Sequence, residues 1–269
     1  MSLRQLEWHA VEKVWGRRDF PAIFGSSDEY DEPLGEVWYE DESAKQLLVK
    51  YLFTSEKLSI QVHPSDKEAR AAGYPNGKTE AWYVLSAEPG ATIGAGFDHK
   101  LTGEQLRAAA LDGSIEDLLT WHEVEPGDFF YVPAGTVHAI GAGVSLVEIQ
   151  QNVDLTYRLY DYGRPRELHL DEGIPVSHAQ PFAKTEPSPL SPTRDLLVDG
   201  KKFSIERLNG GASETLAATA KNPVWLMPTG EGCFVSGQNL PSGTVWISDE
   251  TVDARLGSDA TMLIAYAAN

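Results

Sequence analysis

Cysteine is nearly absent from this sequence: Cys233 is the only one in 269 residues. No intramolecular disulfide can form, which fits a reducing compartment and sets the expectation of a cytoplasmic protein. Long apolar runs are absent too. Nothing approaches the ~20 consecutive apolar residues of a membrane-spanning helix. The opening MSLRQLEWHAVEKVWG has no apolar signal region, so no membrane partner is expected. Positive charge is scarce, with 22 Lys and Arg against 40 Asp and Glu, a formal net charge of -18. That balance argues against a nucleic-acid partner, whose phosphates require clustered cations. It also means that an anionic ligand would need a locally cationic pocket. Low-complexity tracts and clear internal repeats are missing as well.

What remains is a succession of short strand signals. Residues 35–39, 46–53, 57–63, 80–85 and 90–97 read as strands, as does most of the run 143–160. In Lys57-Leu58-Ser59-Ile60-Gln61-Val62-His63 the alternation puts Leu58, Ile60 and Val62 on one face and Ser59, Gln61 and His63 on the other, the pattern of a half-buried strand. Ser65-Asp66-Lys67-Glu68 is a capping box that opens a short helix ended by Gly73. The starts at Thr102 and Ser114 have similar spacing, so residues 100–121 read as a helical insertion. Residues 161–195 lose periodicity and collect prolines from Pro165 to Pro192. After them come short strands near 203–208, 224–227, 233–235, 244–247 and 262–266. The expected fold is therefore all-β with small helical insertions. A first domain spans 1–165, with an N-terminal arm and the insertion near 100–121. A Pro-rich connection spans 166–195, and a C-terminal β domain without the His and Glu content of the first spans 196–269.

The stretch Gly127 to His138, GDFFYVPAGTVH, reads as strand, tight turn, strand. Pro133 fixes φ and Gly135 tolerates φ > 0, so the turn has a mechanism and aims His138 from the start of the next strand. Gln61, His63, Glu80 and His138 all fall on strands or strand ends. Gln61 and His63, two apart, leave the same face. Singly, each has a structural reading: His63 before Pro64 as a strand cap, Glu80 as the partner of Lys78. Together, two imidazoles, a carboxylate and a carboxamide oxygen make a site suited to Zn²⁺ or Fe²⁺ with open positions for water or substrate. Lys78, two before Glu80, and Arg158, of the same parity as Glu148, could supply the local positive charge; a phosphate or a developing enolate is their natural target. The alternative is that Arg158 pairs with Asp154 or Asp161 and Lys78 is solvated. His9, His99, His122, His169 and His178 lie in polar or turn-like sequence and read as surface residues.

The spacing G-x5-P-x-G-x2-H in this hairpin matches the second motif of the cupin family. The wider set LSIQVHPSD, GKTEAWYVL, PGDFFYVPAGTVHAIGAG and LVEIQQNVDLTYRLYDYGRPRELH resembles the type I mannose-6-phosphate isomerases in their short bacterial form, over roughly residues 10–175. The resemblance implies two cupin-like jelly-roll barrels. It implies one Zn²⁺ per chain, with Gln61, His63, Glu80 and His138 as ligands. It also implies interconversion of mannose 6-phosphate and fructose 6-phosphate through a cis-enediolate, zinc acting as Lewis acid. Arg158 takes the place of the family's active-site arginine, and Lys78 joins it in binding the anion. Glu148, Lys78 and a metal-bound water are rival proton carriers. Two departures stand out. The family's Lys-Pro-Glu motif reads Lys78-Thr79-Glu80 here, and the large helical domain of the longer isomerases is missing. A cupin dioxygenase using Fe²⁺, or a non-catalytic cupin that binds sugar phosphates, would use the same pocket. The oligomeric state is left open.

Overall fold

The computed structural model describes residues 3–42 and 45–268, and four antiparallel sheets dominate it. The chain is all-β with small helical insertions, as the sequence predicts. The first six-stranded sheet runs Trp8–Arg17, Leu34–Tyr39, Leu47–Phe53, Val144–Gln151, Glu80–Ala87, Phe129–Val132 in spatial order. A five-stranded sheet faces it, in the order Tyr157–Tyr160, Ile60–Val62, His138–Ile140, Thr92–Phe97, Leu119–Glu123. A seven-stranded and a four-stranded sheet make up the C-terminal half. The strand Arg4–Gln5 pairs with Trp246–Ser248 in the seven-stranded sheet, so the start of the chain is stitched to its end.

Side-chain alternation explains the layering. In Leu47–Phe53, LLVKYLF, every residue is buried. Val49, Tyr51 and Phe53 join Phe203, Ile205, Trp225 and Leu263 in one core between the six- and seven-stranded sheets. Leu52 points the other way, with Trp82, Val84, Phe130 and Leu146, toward Leu58, Ile93 and Ile140 of the five-stranded side. The outer face of that sheet, Ile60, Val62, Ala139 and Leu159, is covered by Leu106, Ala109 and Ala110 of the helix Gly103–Asp112. A sheet buried on both faces loses the polar alternation of a surface strand, which is why this strand reads as a continuous apolar run.

Four local expectations change. The strand expected over 57–63 is only Ile60–Val62, and its polar face is not solvent-facing: Ser59 and His63 are buried at 4% and 1% exposure. The run 143–160 splits into Val144–Gln151 and Tyr157–Tyr160 in different sheets, the break sealed by Gln150 Nε2 donating to Gln151 O and Val153 O. Ser114 holds the N-cap position of the helix Ile115–Leu118 but makes no side-chain capping bond; instead its N–H and Oγ donate to Asp112 at 2.9 and 2.6 Å. The Pro-rich stretch carries a helix, Leu170–Val176, and a strand, Ser188–Ser191, that pairs with Arg194–Asp199. Among the described residues, no helix is long and apolar enough to cross a membrane.

Candidate metal centre and its cavity

The site lies between the five- and six-stranded sheets. Gln61 is the hub on one side, in register with both His138 and Arg158. On the other side Glu148 is in register with Lys50 and Trp82, and Glu80 with Gln150. His63 leaves the end of Ile60–Val62, where Pro64 stops the strand; Lys78 lies two residues before the strand Glu80–Ala87. The turn at Pro133-Ala134-Gly135 does what its sequence suggests. Gly135 has φ +91°, its N–H donates to His63 O at 2.8 Å, and His138 opens the following strand. A Cβ on Gly135 would also meet the His178 ring at 2.5 Å. Gly135→Ala should therefore lower stability by about 1–3 kcal/mol; an unchanged denaturation midpoint would show that the turn is not under this constraint.

Among the described residues, one group of His, Cys, Asp and Glu side chains comes together closely enough to hold a metal: His63, Glu80 and His138, their ligand atoms within 4.8 Å of one another. All three are 1% exposed. His63 Nδ1 lies 2.8 Å from Leu155 O, and His138 Nδ1 lies 2.9 Å from Thr136 O. A carbonyl oxygen only accepts, so both Nδ1 atoms carry the hydrogen and both Nε2 atoms present lone pairs. Those lone pairs face Glu80: His63 Nε2 is 3.3 Å from Oε2 and His138 Nε2 is 3.2 Å from Oε1. Glu80 Oε1 is buried and receives no hydrogen bond. Two imidazole lone pairs and a carboxylate converging, with only the Lys78 ammonium at their edge (Nζ 3.3 Å from His63 Nε2), are the donor set of a cation site, and a backbone carbonyl fixing the remote nitrogen is how ligand histidines are commonly held. Gln61 sits beside them, its Nε2 3.4 Å from His138 Nε2 and its Oε1 accepting from Ser59 Oγ at 3.0 Å. A half-turn of its terminal amide puts the oxygen on the imidazole side.

Charge alternates across the sheet floor. Lys78 Nζ lies 2.8 Å from Glu80 Oε2 and 3.0 Å from Glu148 Oε1, while Lys50 Nζ lies 3.7 Å from Glu36 Oε2 and over the Trp38 ring. Burial drives His63 down to about 3 and lowers His138, with Lys78 adding to the shift in both. Both imidazoles therefore stay neutral, as ligands must be. Burial opposes the charge on Glu80, but the Lys78 ammonium beside it outweighs burial and holds it well below its ordinary range. Glu148 goes the other way: burial raises it to about 7, with Lys78 limiting the rise. Burial also opposes the charge on Lys78, yet Glu148 and Glu80 hold it above its ordinary value.

A cavity of about 210 Å³ opens over these groups, and Gln61, Lys78, Glu80, Glu148 and Arg158 all line it. Arg158 is held by Glu167 O at 2.7 Å rather than by Asp154 or Asp161, and its Nε has no partner. Three cations on the wall were missed from sequence: Lys50, Lys13 and Arg166. Arg166 could have been weighed, since it stands in the quoted stretch YGRPRELH; Lys50 sits inside an apolar run and gave no signal. Two histidines are not surface residues. His122 packs against Phe130 and Phe182, and His169 Nδ1 accepts from the Arg158 N–H at 3.2 Å. His9, His99 and His178 are exposed. The C-terminal half contributes no residue to the metal-ligand group.

No family model matches the chain. It is 38% identical over 205 residues to the mannose-6-phosphate isomerase ManA of Bacillus subtilis, 71% of this chain and 64% of that protein. It is also 38% identical over 200 residues to the mannose-6-phosphate isomerase of Streptococcus mutans, 71% of this chain and 63% of that protein. The chain thus spans a little under two thirds of the length of these relatives. Among solved structures, a mannose 6-phosphate isomerase from Bacillus subtilis superposes with a TM-score of 0.81 at 24% identity, covering 98% of this chain and 99% of that one. At that identity the superposition speaks for the fold, which is shared over the whole length.

Proposed function

We propose, on the premise that the chain is a homologue of the mannose-6-phosphate isomerases, that it interconverts D-mannose 6-phosphate and D-fructose 6-phosphate at this cavity. The observation that carries the reading is the convergence of two buried imidazole Nε2 atoms on one buried carboxylate, beside Lys78 and next to a cavity that Glu80, Lys78 and Arg158 line. His63, Glu80 and His138 would hold one Zn²⁺, with the Gln61 oxygen as a fourth ligand. Two nitrogens and an oxygen suit zinc, which when bound supplies a Lewis acid that polarises a sugar oxygen.

The remaining work falls to side chains. Aldose–ketose isomerisation moves a proton between C1 and C2 and develops an oxyanion on the way. Glu148 is the proton carrier this site favours, because a carboxyl raised to about 7 is near half-protonated at neutral pH and can both take and return a proton. Lys78 is not its rival: a lysine held above its ordinary value stays an ammonium and serves the developing negative charge. Arg158, with a free Nε, offers the sugar phosphate the positive charge that the protein as a whole lacks, while Arg166 on the same wall is ion-paired with Asp161.

The deciding experiment is a coupled assay for fructose 6-phosphate formed from mannose 6-phosphate, before and after chelation, with Zn²⁺ or Fe²⁺ added back. Activity lost on chelation and restored by Zn²⁺ is expected. Absence of turnover with tight sugar-phosphate binding would favour a binding cupin, and O₂-dependent activity restored only by Fe²⁺ a dioxygenase.

A further inference from the structure

The segment Lys78-Thr79-Glu80 is tied to a polar network behind the cavity, and that network reaches the C-terminal half of the chain. Asp66 Oδ1 accepts from the Gly77 N–H and from Gln151 Nε2, each at 2.9 Å. Gln151 Oε1 accepts from the Thr79 N–H at 3.0 Å, and the Gln151 N–H returns to Thr79 O at 3.1 Å. Thr79 Oγ1 accepts from the Ala134 N–H at 3.3 Å. Asp66 Oδ2 receives Lys202 Nζ at 2.6 Å, with the exposed Arg70 3.2 Å from the same oxygen. Thr79 and Gln151 are buried.

Each tie falls beside a ligand of the metal group. Asp66 stands three residues after His63, Thr79 directly before Glu80, and Ala134 four before His138. Thr79 stands where the family it resembles carries proline. Proline has no N–H to donate, so the bond to Gln151 belongs to this chain's own version of the motif. Lys202 lies in the turn between Arg194–Asp199 and Phe203–Leu208, in the seven-stranded sheet and 136 residues away from Asp66. Asp66 is also the point where the charges meet. Burial opposes its ionisation, yet Lys202, Gln151 and the Gly77 N–H together hold it as a carboxylate.

We propose that Lys202 and Asp66 are positioning residues for the metal centre, an ion pair through which the C-terminal half sets the spacing of the three ligand-bearing segments and hence the affinity for metal. The inference rests on the metal reading of His63, Glu80 and His138, and not on the identity of the sugar. Lys202 is about a third exposed at its side chain, so the pair contributes little to stability by itself. Its leverage is geometric, because an anchor shared by several hydrogen bonds fixes groups whose placement must be accurate.

The test is made on the full chain with Lys202→Met, Asp66→Asn and the conservative Lys202→Arg. Zn²⁺ affinity is measured by competition with a chromophoric chelator, alongside the melting temperature of the metal-free protein. Lys202→Met should weaken Zn²⁺ binding about tenfold, Asp66→Asn at least as much, and Lys202→Arg should restore it to within about twofold. The melting temperature of metal-free Lys202→Met should stay within about 2 °C of the parent. Zinc affinity unchanged in both Lys202→Met and Asp66→Asn overturns the proposal, and a lower melting temperature alongside it marks the network as a clamp on the fold alone. A loss that Lys202→Arg does not restore overturns it too. The isomerase reading fails on the coupled assay of the unmodified chain, whereas this inference fails on metal affinity.

Discussion

His138→Ala should leave the protein without bound metal and lower the proposed isomerase turnover by about 10³-fold or more. The reason is ligand arithmetic. With His138 gone, one imidazole, the Glu80 carboxylate and the weak carboxamide oxygen of Gln61 are what remains, and that set does not hold zinc firmly against water. The fold should survive. His138 Nδ1 is tied to Thr136 O two residues back, within its own hairpin, and the Gly135 turn is fixed by His63 O and His178 N independently of the imidazole. In the metal-free state the substitution also removes a lone pair aimed at Glu80 Oε1, an arrangement that costs rather than stabilises. The denaturation midpoint of the metal-free variant should therefore lie close to the parent's. Addition of Zn²⁺ should raise the parent's midpoint and not the variant's, since a ligand stabilises only the state that binds it. Metal analysis and the coupled assay decide it: a variant that keeps both its metal and its turnover would remove His138 from the centre.

The same residue shows why part of the site was legible from sequence. Its hairpin is a local device, a proline and a glycine at fixed offsets, and local chemistry writes itself into adjacent positions. Gln61 and His63 were legible for a similar reason, since a period of two assigns both to one face whatever that face meets. What that face meets was not legible. The polar side of Ile60–Val62 turns into a cavity because a second sheet lies over it, a fact held in the register of Gln61 with His138 and Arg158. Lys50 shows the limit most clearly. In LLVKYLF it resembles an interruption in a core strand, and only the pairing of Glu148 with Lys50 turns it into part of a charged floor. The link from Lys202 to Asp66 spans 136 residues and leaves no local trace at either end. The two-sheet layering explains these omissions together: strands buried on both faces do not separate core from site by hydropathy.

Lys78→Met should destabilise the metal-free protein by about 3–5 kcal/mol at neutral pH, with the loss growing as pH rises. Lys78 is the cation between two buried carboxylates, 2.8 Å from Glu80 and 3.0 Å from Glu148, and its removal leaves both without it. Burial is what raises Glu148 to about 7, and Lys78 is the first influence holding it down. A carboxyl whose folded value lies above its unfolded value favours the folded state while protonated. That contribution is whole below the ordinary value of 4.5 and is lost as pH climbs through the folded value. Without Lys78 the folded value of Glu148 rises further, so the variant carries a heavier cost than the parent once both must ionise. Glu80 has the opposite sign in the parent: held low, it stabilises above the ordinary carboxylate range and loses that contribution in acid. Without Lys78 this advantage shrinks as well, again at the expense of the neutral and alkaline side. Urea unfolding of parent and variant at pH 5.5 and pH 8 should thus show a difference that is clearly larger at pH 8. An equal difference at the two values would mean that Lys78 does not balance Glu148 and Glu80. Bound zinc, as a second cation beside the same carboxylate, should narrow the gap at pH 8, because it supplies Glu80 with part of the positive charge that the methionine lacks.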